Sequence, residues 1–181
     1  MTLAPVDQRM IDAVLDREGG FSNRASDKGG PTNYGITQAT LSAWLGRAAS
    51  VADVQAMTRQ TATAIYVANY LAAPGIGYIA DADLRELVFD AAIQHGQARA
   101  VQWLQAIAGV VQDGNIGSVT AGKVNGGNTA SIYRRYLAKR LCYYGEIITA
   151  DAKRGTAPNI GQGLNAAGWM NRMAPFVEAA P

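Results

Sequence analysis

The stretch REGGFSNRASDKGGPTNYGIT, residues 17–37, lies between regions of helical pattern and differs from both. Two carboxylates, Glu18 and Asp27, occur in it among several glycines. Glycine and proline favour tight turns, and the Thr, Tyr and Ile of its second half favour short extended segments. The sequence therefore predicts an irregular β-hairpin or long loop over residues 20–36, with two acids near it.

A helix is predicted before this stretch, from about residue 6 to residue 18. Pro5 suits a first turn, and Gly19-Gly20 is a typical stop. Apolar residues recur at helical spacing, and Glu18 follows Val14 by four positions, so it belongs to the apolar face. Burial there disfavours an ionised carboxyl, which would suit Glu18 to donate a proton.

The rest of the chain is predicted to be helical. Thr37 can cap a helix through Leu45, and SVAD at residues 50–53 resembles a capping box. Further helices are predicted at 61–73, 81–96 and 97–109, with the longest at 129–148 and the last within 164–180. The predicted fold class is mainly α: a helical bundle with a small β-hairpin or irregular loop next to Glu18.

Composition excludes several classes of protein. The 181 residues fit one globular domain or a catalytic unit with a small helical appendage, and 49% of them are hydrophobic, which argues against disorder. A net charge of +2 lacks the basic patch of a nucleic-acid-binding protein but suits a polyanionic partner such as a cell wall. The sequence has no visible export signal and no apolar run of about 18 residues, so we expect synthesis in the cytoplasm.

Cysteine and histidine point to no metal or cofactor. Cys142 is the single cysteine and lies in an apolar helical stretch, so a buried, inert thiol is expected. His95 is the single histidine, and a structural or capping role is favoured over metal binding. DGNIG has too few acidic oxygens for a calcium loop and predicts a turn.

Glu18 is predicted on the apolar face of a helix, whereas Asp27 follows in a glycine-rich segment where water can keep a carboxylate ionised. Two carboxylates in such unlike environments are what glycoside hydrolysis requires. One acid protonates the leaving oxygen while the other activates water or stabilises positive charge. The residues alone leave another interpretation open, in which Glu18 pairs with a cation and Asp27 caps a turn.

The stretch resembles the signature of glycoside hydrolase family 108, in which Glu-Gly-Gly closes a helix and Asp-x-Gly-Gly-x-Thr-Asn-Tyr-Gly-Ile-Thr follows. The resemblance implies a muramidase of the mainly α (α+β lysozyme-like) fold, with Glu18 as the catalytic acid. A similarity to the phage T4 type of lysozyme nominates Asp27 and either Thr32 or Asn33 as its partners. Tyr34 and Tyr70 are further candidates to contact sugar, although aromatic residues at helical spacing, including Tyr66, Trp103 and Trp169, are more often core.

The second half resembles the small helical peptidoglycan-binding module that usually follows this family. FDAAIQHG, AVQWLQAIAG, DGNIGSVT and GWMNRM match its landmarks in order. We therefore expect a muramidase region over residues 1–90 and a peptidoglycan-binding region over 91–181. The chain departs from the pattern of the family at two positions. Gln94 stands where the family is expected to have Asn, and Leu71 follows Tyr70 where the family often has Trp.

The resemblance implies cleavage of the β-1,4 bond between N-acetylmuramic acid and N-acetylglucosamine, without a cofactor. Lytic transglycosylation and a non-catalytic wall-binding protein are the alternatives. We expect the protein to bind peptidoglycan glycan strands and no nucleic acid, and to be a monomer. A holin or a secretion route would deliver it to the wall, in a phage endolysin or in a bacterial muramidase.

Overall fold

The structure is a computed structural model that describes residues 3–23, 30–155 and 161–181. The chain forms two compact units, Met1–Ala73 and Pro74–Pro181. The residues of the expected regional boundary, 90 and 91, lie inside a helix of the second unit. The compact units thus divide earlier than that boundary, and the assignment of functions to the two regions stays a prediction.

The first unit combines helices with a small hairpin. Its elements are α1 (Pro5–Glu18), β1 (Thr32–Asn33), β2 (Ile36–Thr37), α2 (Gln38–Leu45), α3 (Val51–Gln55), α4 (Arg59–Tyr66) and a π-helical turn (Val67–Ala72). The strands are antiparallel, with Thr32 opposite Thr37 and Asn33 opposite Ile36. α1 contributes to the core of this unit through Met10, Ile11, Val14 and Leu15.

Local signals place the ends of these helices. α1 begins with a proline and ends at Gly19, which has φ 74°. Thr37 caps α2 by accepting a hydrogen bond from the backbone N–H of Thr40 at 3.2 Å, and Ser50 and Asp53 form the predicted capping box of α3. These predictions are confirmed.

One helix differs from its prediction. Instead of a single α-helix over residues 61–73, α4 ends at Tyr66 and continues as the π-helical turn, whose wider path is seen in the bond from Ala73 N–H to the carbonyl of Ala68 at 2.9 Å. Leu71, at the position where the family often has Trp, is buried in this turn. π-Helical turns are rare and occur frequently at functional sites.

The regular elements in the described part of the second unit are all helices or helical turns. It contains a 3-10 turn (Ile76–Tyr78), α5 (Ala82–His95), α6 (Gln97–Ala108), α7 (Ser118–Asn125), α8 (Thr129–Lys153), a 3-10 turn (Gln162–Asn165) and α9 (Ala166–Glu178). α8 is the longest helix described, as predicted, and the side chain of Asp81 caps α5 by accepting from the N–H of Leu84. α7 has no side-chain cap, because Ser118 is already in the helix and Gly117 precedes it.

A buried ion triad joins three helices of this unit. Arg140 of α8 donates to Asp90 of α5 at 2.7 Å, and Arg172 of α9 lies 2.8 Å from the same carboxylate. Arg140 is 0% exposed and Asp90 2% exposed. Burial alone would raise the pKa of Asp90, but the two guanidinium groups together hold that pKa below its usual value. Asp90 is therefore held ionised by its partners.

A second network fixes the turn that contains DGN. The side chain of Gln105, on α6, donates to Asp113 Oδ1 at 2.7 Å and to the carbonyl of Asn115 at 2.9 Å, and it accepts from Gly114 N–H at 2.9 Å. Gln105 is fully buried. The turn predicted for this segment is confirmed, with Gly114 at φ 81°.

The predicted burial of Cys142 is wrong. The buried positions of α8 near it are Arg140 and Tyr144, four residues apart on one face, and Cys142 lies between them on the opposite face, where it is exposed. Met170 on α9 is exposed as well, whereas Met173 is buried.

The described residues confirm the predicted mainly α class with one small hairpin following Glu18 in the chain. No helix in the described ranges is long and apolar enough to cross a membrane.

Replacing Asp90 tests the ion triad. Asp90→Ala leaves Arg140 buried without its carboxylate, and we expect the free energy of unfolding to fall by about 3–5 kcal/mol, measured by urea denaturation. Asp83→Ala, at an exposed position in the first turn of the same helix, is the matched control and should have a much smaller effect. Equal losses for the two variants would contradict a structural role for the triad.

Candidate active site

The end of α1 meets the hairpin turn at Gly35. A Cβ on Gly35 would lie 2.9 Å from Tyr66 Oη, 3.0 Å from Glu18 Cγ and 3.1 Å from Glu18 Oε2. The side chains of Tyr66 and Glu18 therefore leave space for only a hydrogen atom at the Cα of Gly35. The Glu18 carboxyl and the Tyr66 hydroxyl are thus both held against the backbone of the turn.

The turn has the left-handed geometry that tight hairpins require. Its two central residues, Tyr34 and Gly35, have φ of 52° and 73°, as in a type I′ turn. Gly35 adopts this conformation without strain, whereas Tyr34 is the single non-glycine residue with positive φ in the described ranges. Such strain costs on the order of 1 kcal/mol and persists where the surrounding structure enforces it. Here Tyr66 contributes, because its hydroxyl donates to the carbonyl of Tyr34 at 3.0 Å.

Tyr70, in the π-helical turn, is close enough to Glu18 to sense its charge. Burial raises the pKa of the Tyr70 hydroxyl, and the negative charge of Glu18 raises that pKa further. The Tyr66 and Tyr70 rings lie 5.3 Å apart. Glu18, Tyr66 and Tyr70 thus form one cluster with the Tyr34-Gly35 turn.

The expected burial of Glu18 is wrong, because Glu18 is exposed. The helical spacing from Val14 is as predicted, but Glu18 is the last residue of α1 and the buried residues of this helix end at Leu15. Position on the apolar face buries a side chain only where another element covers it.

Asn33 and Thr32 differ in their surroundings. Asn33 is 5% exposed, and its amide donates to the carbonyl of Val54 at 2.9 Å, so this side chain ties the hairpin to α3 rather than facing solvent. Successive strand residues point to opposite faces, so Thr32, which is half-buried, faces away from α3. The sequence-based roles of Thr32, Asn33, Tyr34 and Tyr70 stay predictions.

Asp27 lies outside the described residues. The described residues on either side of its segment include Ser22 and Thr32. Ser22 and Thr32 form an isolated antiparallel bridge, with two N–H to carbonyl bonds of 2.8 Å.

Arg59 of α4 binds two acids of α1 that precede Glu18. It lies 2.8 Å from Asp12 and 2.7 Å from Asp16. These contacts fasten α4 along α1 and so help to place Tyr66 beside Glu18.

His95 has aromatic surroundings in the second unit. Its ring lies 5.4 Å from that of Trp103 and 5.1 Å from that of Tyr144. Burial, followed by the nearby charge of Arg140, lowers the pKa of His95 to about 4. Over residues 3–23, 30–155 and 161–181, no group of three His, Cys, Asp or Glu side chains is placed to hold a metal ion.

The first-unit cluster offers one accessible carboxyl on a rigid support, and this is an arrangement suited to exchanging a proton with a bound substrate. Sequence reasoning missed the contact of Gly35 and Tyr66 with Glu18. The Tyr-Gly pair of TNYGIT signals the turn, but no local pattern shows that residue 66 reaches it.

Two comparisons relate the chain to known proteins. The family model described as Glycosyl hydrolase 108 matches residues 11–96. The solved structure of Brucella abortus SagA is similar, with 33% sequence identity, a TM-score of 0.75, and coverage of 96% of this chain and 92% of that chain. This similarity confirms the mainly α, lysozyme-like fold. The search of curated proteins gave no match.

The charge of Glu18 should be measurable at Tyr70. Glu18→Gln removes a negative charge, so we expect the pKa of the Tyr70 hydroxyl to fall while remaining above its usual value because of burial. Titration by NMR of ring-labelled tyrosine, assigned with Tyr70→Phe, measures this pKa. Asp16→Asn removes a charge that Arg59 already balances and serves as the control. An unchanged Tyr70 pKa in Glu18→Gln would contradict the proximity.

Proposed function

Because the chain belongs to glycosyl hydrolase family 108 and is therefore a peptidoglycan hydrolase, we propose that it cleaves the β-1,4 bond between N-acetylmuramic acid and N-acetylglucosamine, with Glu18 as general acid. The observation that carries the proposal is the accessible Glu18 carboxyl at the end of α1, held against the hairpin turn and Tyr66. Among the acids of α1, it is the one at that turn.

In the proposed reaction, Glu18 gives its proton to the glycosidic oxygen as the bond from that oxygen to the anomeric carbon breaks. The N-acetylglucosamine end leaves as an alcohol, and positive charge develops on the muramyl ring. Water then adds to the anomeric carbon and loses a proton to a carboxylate. The products are two shorter strands, one of which has a new reducing end.

The exposure of Glu18 fits an acid that the substrate itself covers. An extended glycan laid along the hairpin would exclude water from the carboxyl, and electrostatic interactions in the covered site would then be stronger than in solvent. The contact of Glu18 with Gly35 fixes the direction of the carboxyl before the substrate arrives.

We propose Asp27 as the second carboxylate, which would stabilise the developing charge or activate water. Its support is the similarity of spacing to the phage T4 type of lysozyme and the Ser22–Thr32 bridge, which returns its segment to the hairpin. Thr32, Tyr34 and Tyr70 are proposed to contact the glycan. Asn33 is proposed to position the hairpin, since its amide is already bonded to the carbonyl of Val54.

The second unit is proposed to hold peptidoglycan strands, on the basis of its landmark motifs. We further propose a role in host-cell lysis as an endolysin that is made in the cytoplasm, reaches the wall through a holin or a secretion route, and acts as a monomer. Expression with and without a holin, followed by culture turbidity, tests the delivery route.

Digestion of purified peptidoglycan tests the chemistry. Glu18→Gln should lower kcat by about 10²- to 10⁴-fold, the usual contribution of a general acid, with little effect on stability because the side chain is exposed. Asp27→Asn in the same series should lower kcat as well. Asp83→Asn, which changes an exposed acid of the second unit, is the control and should retain activity.

Mass spectrometry of the products decides between the reactions. Muramic acid reducing ends would agree with hydrolysis, whereas 1,6-anhydro ends would show lytic transglycosylation. Full activity of Glu18→Gln would contradict the assignment of the acid, and binding to the wall without release of fragments would contradict an enzyme.

Gly35→Ala tests the support of Glu18. The added Cβ would lie 2.9 Å from Tyr66 Oη, closer than real Cβ contacts, and would push both side chains from their positions. We expect kcat/KM to fall by roughly a hundredfold, since displacement of a catalytic group by about 1 Å has effects of this size. Gly46→Ala is the matched control, because Gly46 has φ +66° but its added Cβ would meet nothing within 4 Å. Equal losses would show that backbone strain, rather than contact with Glu18, is responsible.

A further inference from the structure

The three tryptophans of the chain differ in their surroundings. Trp103 packs against His95 and two tyrosines, and Trp169 stacks on Tyr144 with ring centroids 4.9 Å apart. Trp44, on α2, is 43% exposed and has no aromatic ring partner within the described part of the chain. The first two are explained by packing in the second unit, whereas Trp44 is not.

Trp44 lines a cavity of about 400 Å³ in the first unit, together with Thr40, Ala43 and Asn69. The carboxamide of Asn69 makes no hydrogen bond to the described residues. The Thr40 hydroxyl lies 3.1 Å from that of Thr37. The lining residues within the described part of the chain carry no charge.

This combination of groups suits a neutral, amphipathic ring. The indole offers a flat apolar surface with one N–H donor, and the carboxamide of Asn69 offers both donors and an acceptor. These four side chains would offer a charged ligand no ion pair to compensate for the hydration it loses. An N-acetylated pyranose presents an apolar C–H face to the indole and an acetamido group that pairs with the carboxamide.

The cavity is formed by two elements, α2 and the π-helical turn, that are each connected to the surroundings of the proposed acid. Asn69 directly precedes Tyr70 in the π-helical turn, so their Cα atoms are about 3.8 Å apart. The Tyr70 ring lies 5.3 Å from that of Tyr66, and the Tyr66 hydroxyl lies against the same glycine, Gly35, as the Glu18 carboxyl. α2 begins directly after β2, the second strand of the hairpin against which Glu18 lies.

We propose that Trp44, Asn69 and Thr40 form a subsite for one N-acetylhexosamine of the glycan strand, next to the ring whose bond is cleaved. The sugar stacks on the indole, and its acetamido group bonds to the Asn69 carboxamide. This inference rests on the proposed function, since it assigns part of the glycan to a place beside Glu18.

Kinetics on soluble, peptide-free glycan strands test the subsite. Trp44→Ala and Asn69→Ala should each raise KM about tenfold while kcat changes less than about threefold, as expected when binding is lost equally from substrate and transition state. Leu45→Ala is the matched control, an apolar residue of the same helix that is 41% exposed and lies outside the cavity lining. It should leave KM unchanged.

Binding without turnover provides a second measurement. The same strands, added to Glu18→Gln protein, should change the tryptophan emission, and the change should disappear when Trp44→Phe is combined with Glu18→Gln. Thermal unfolding of each variant shows whether it is folded, and Trp44→Phe keeps a ring in place should Trp44→Ala lower the Tm.

The outcomes separate the two proposals. If wild type releases reducing ends but Trp44→Ala and Asn69→Ala keep KM within about twofold, or if the emission does not change, the subsite is wrong and the hydrolase stands. If wild type releases no reducing ends but the strands still alter Trp44 emission, the subsite stands and the proposed function is wrong.

Discussion

The left-handed turn at Tyr34 and Gly35 is the constraint on which the first unit depends. Each neighbouring helix is fixed to the hairpin by a different contact. Gly35 lies against Glu18 at the end of α1, Thr37 caps α2, Asn33 bonds to the end of α3, and Tyr66 of α4 donates to the turn itself. A hairpin of two residues per strand has little stability alone, so these contacts must hold it. The strain at Tyr34 is therefore sustained by the whole unit, and the same contacts orient the Glu18 carboxyl.

In the second unit, the motifs that suggested peptidoglycan binding prove to include structural residues. Asp90 of FDAAIQHG and Arg172 of GWMNRM meet in the buried ion triad, and Gln105 of the α6 motif fixes the DGN turn. In this position the buried ion pairs fix how α5, α8 and α9 are arranged, rather than bind a ligand. Any contact with the wall would therefore be made by accessible residues of the second unit rather than by these three.

Much of the fold could be predicted because its signals are local. Thr37, Asp81 and the Ser50–Asp53 capping box act within four residues of themselves, and the spacing of apolar residues identifies α1 and α8 without tertiary information. The predictions that were wrong concern features that depend on how neighbouring elements pack. Glu18 is exposed because no buried turn of α1 follows Leu15, Cys142 falls on the outer face of α8, and the π-helical turn interrupts a segment with a uniform helical pattern. Trp44 was missed for the same reason, since it lies three residues from the buried Leu41 and its exposure reflects where α2 ends relative to its neighbours.

In the proposed site, an exposed acid and an exposed tryptophan of the same unit divide the work between protein and substrate. The protein fixes positions, through Gly35 at Glu18 and through the π-helical turn at Asn69. The glycan would supply the covering layer, because a strand that occupies the Trp44 subsite and extends to Glu18 would displace water from the carboxyl. Binding at Trp44 would then contribute only when the strand is long enough to reach both places. On this reasoning, a glycan too short to occupy the Trp44 subsite would be a poor substrate through KM, whereas one that leaves Glu18 uncovered would lose kcat as well.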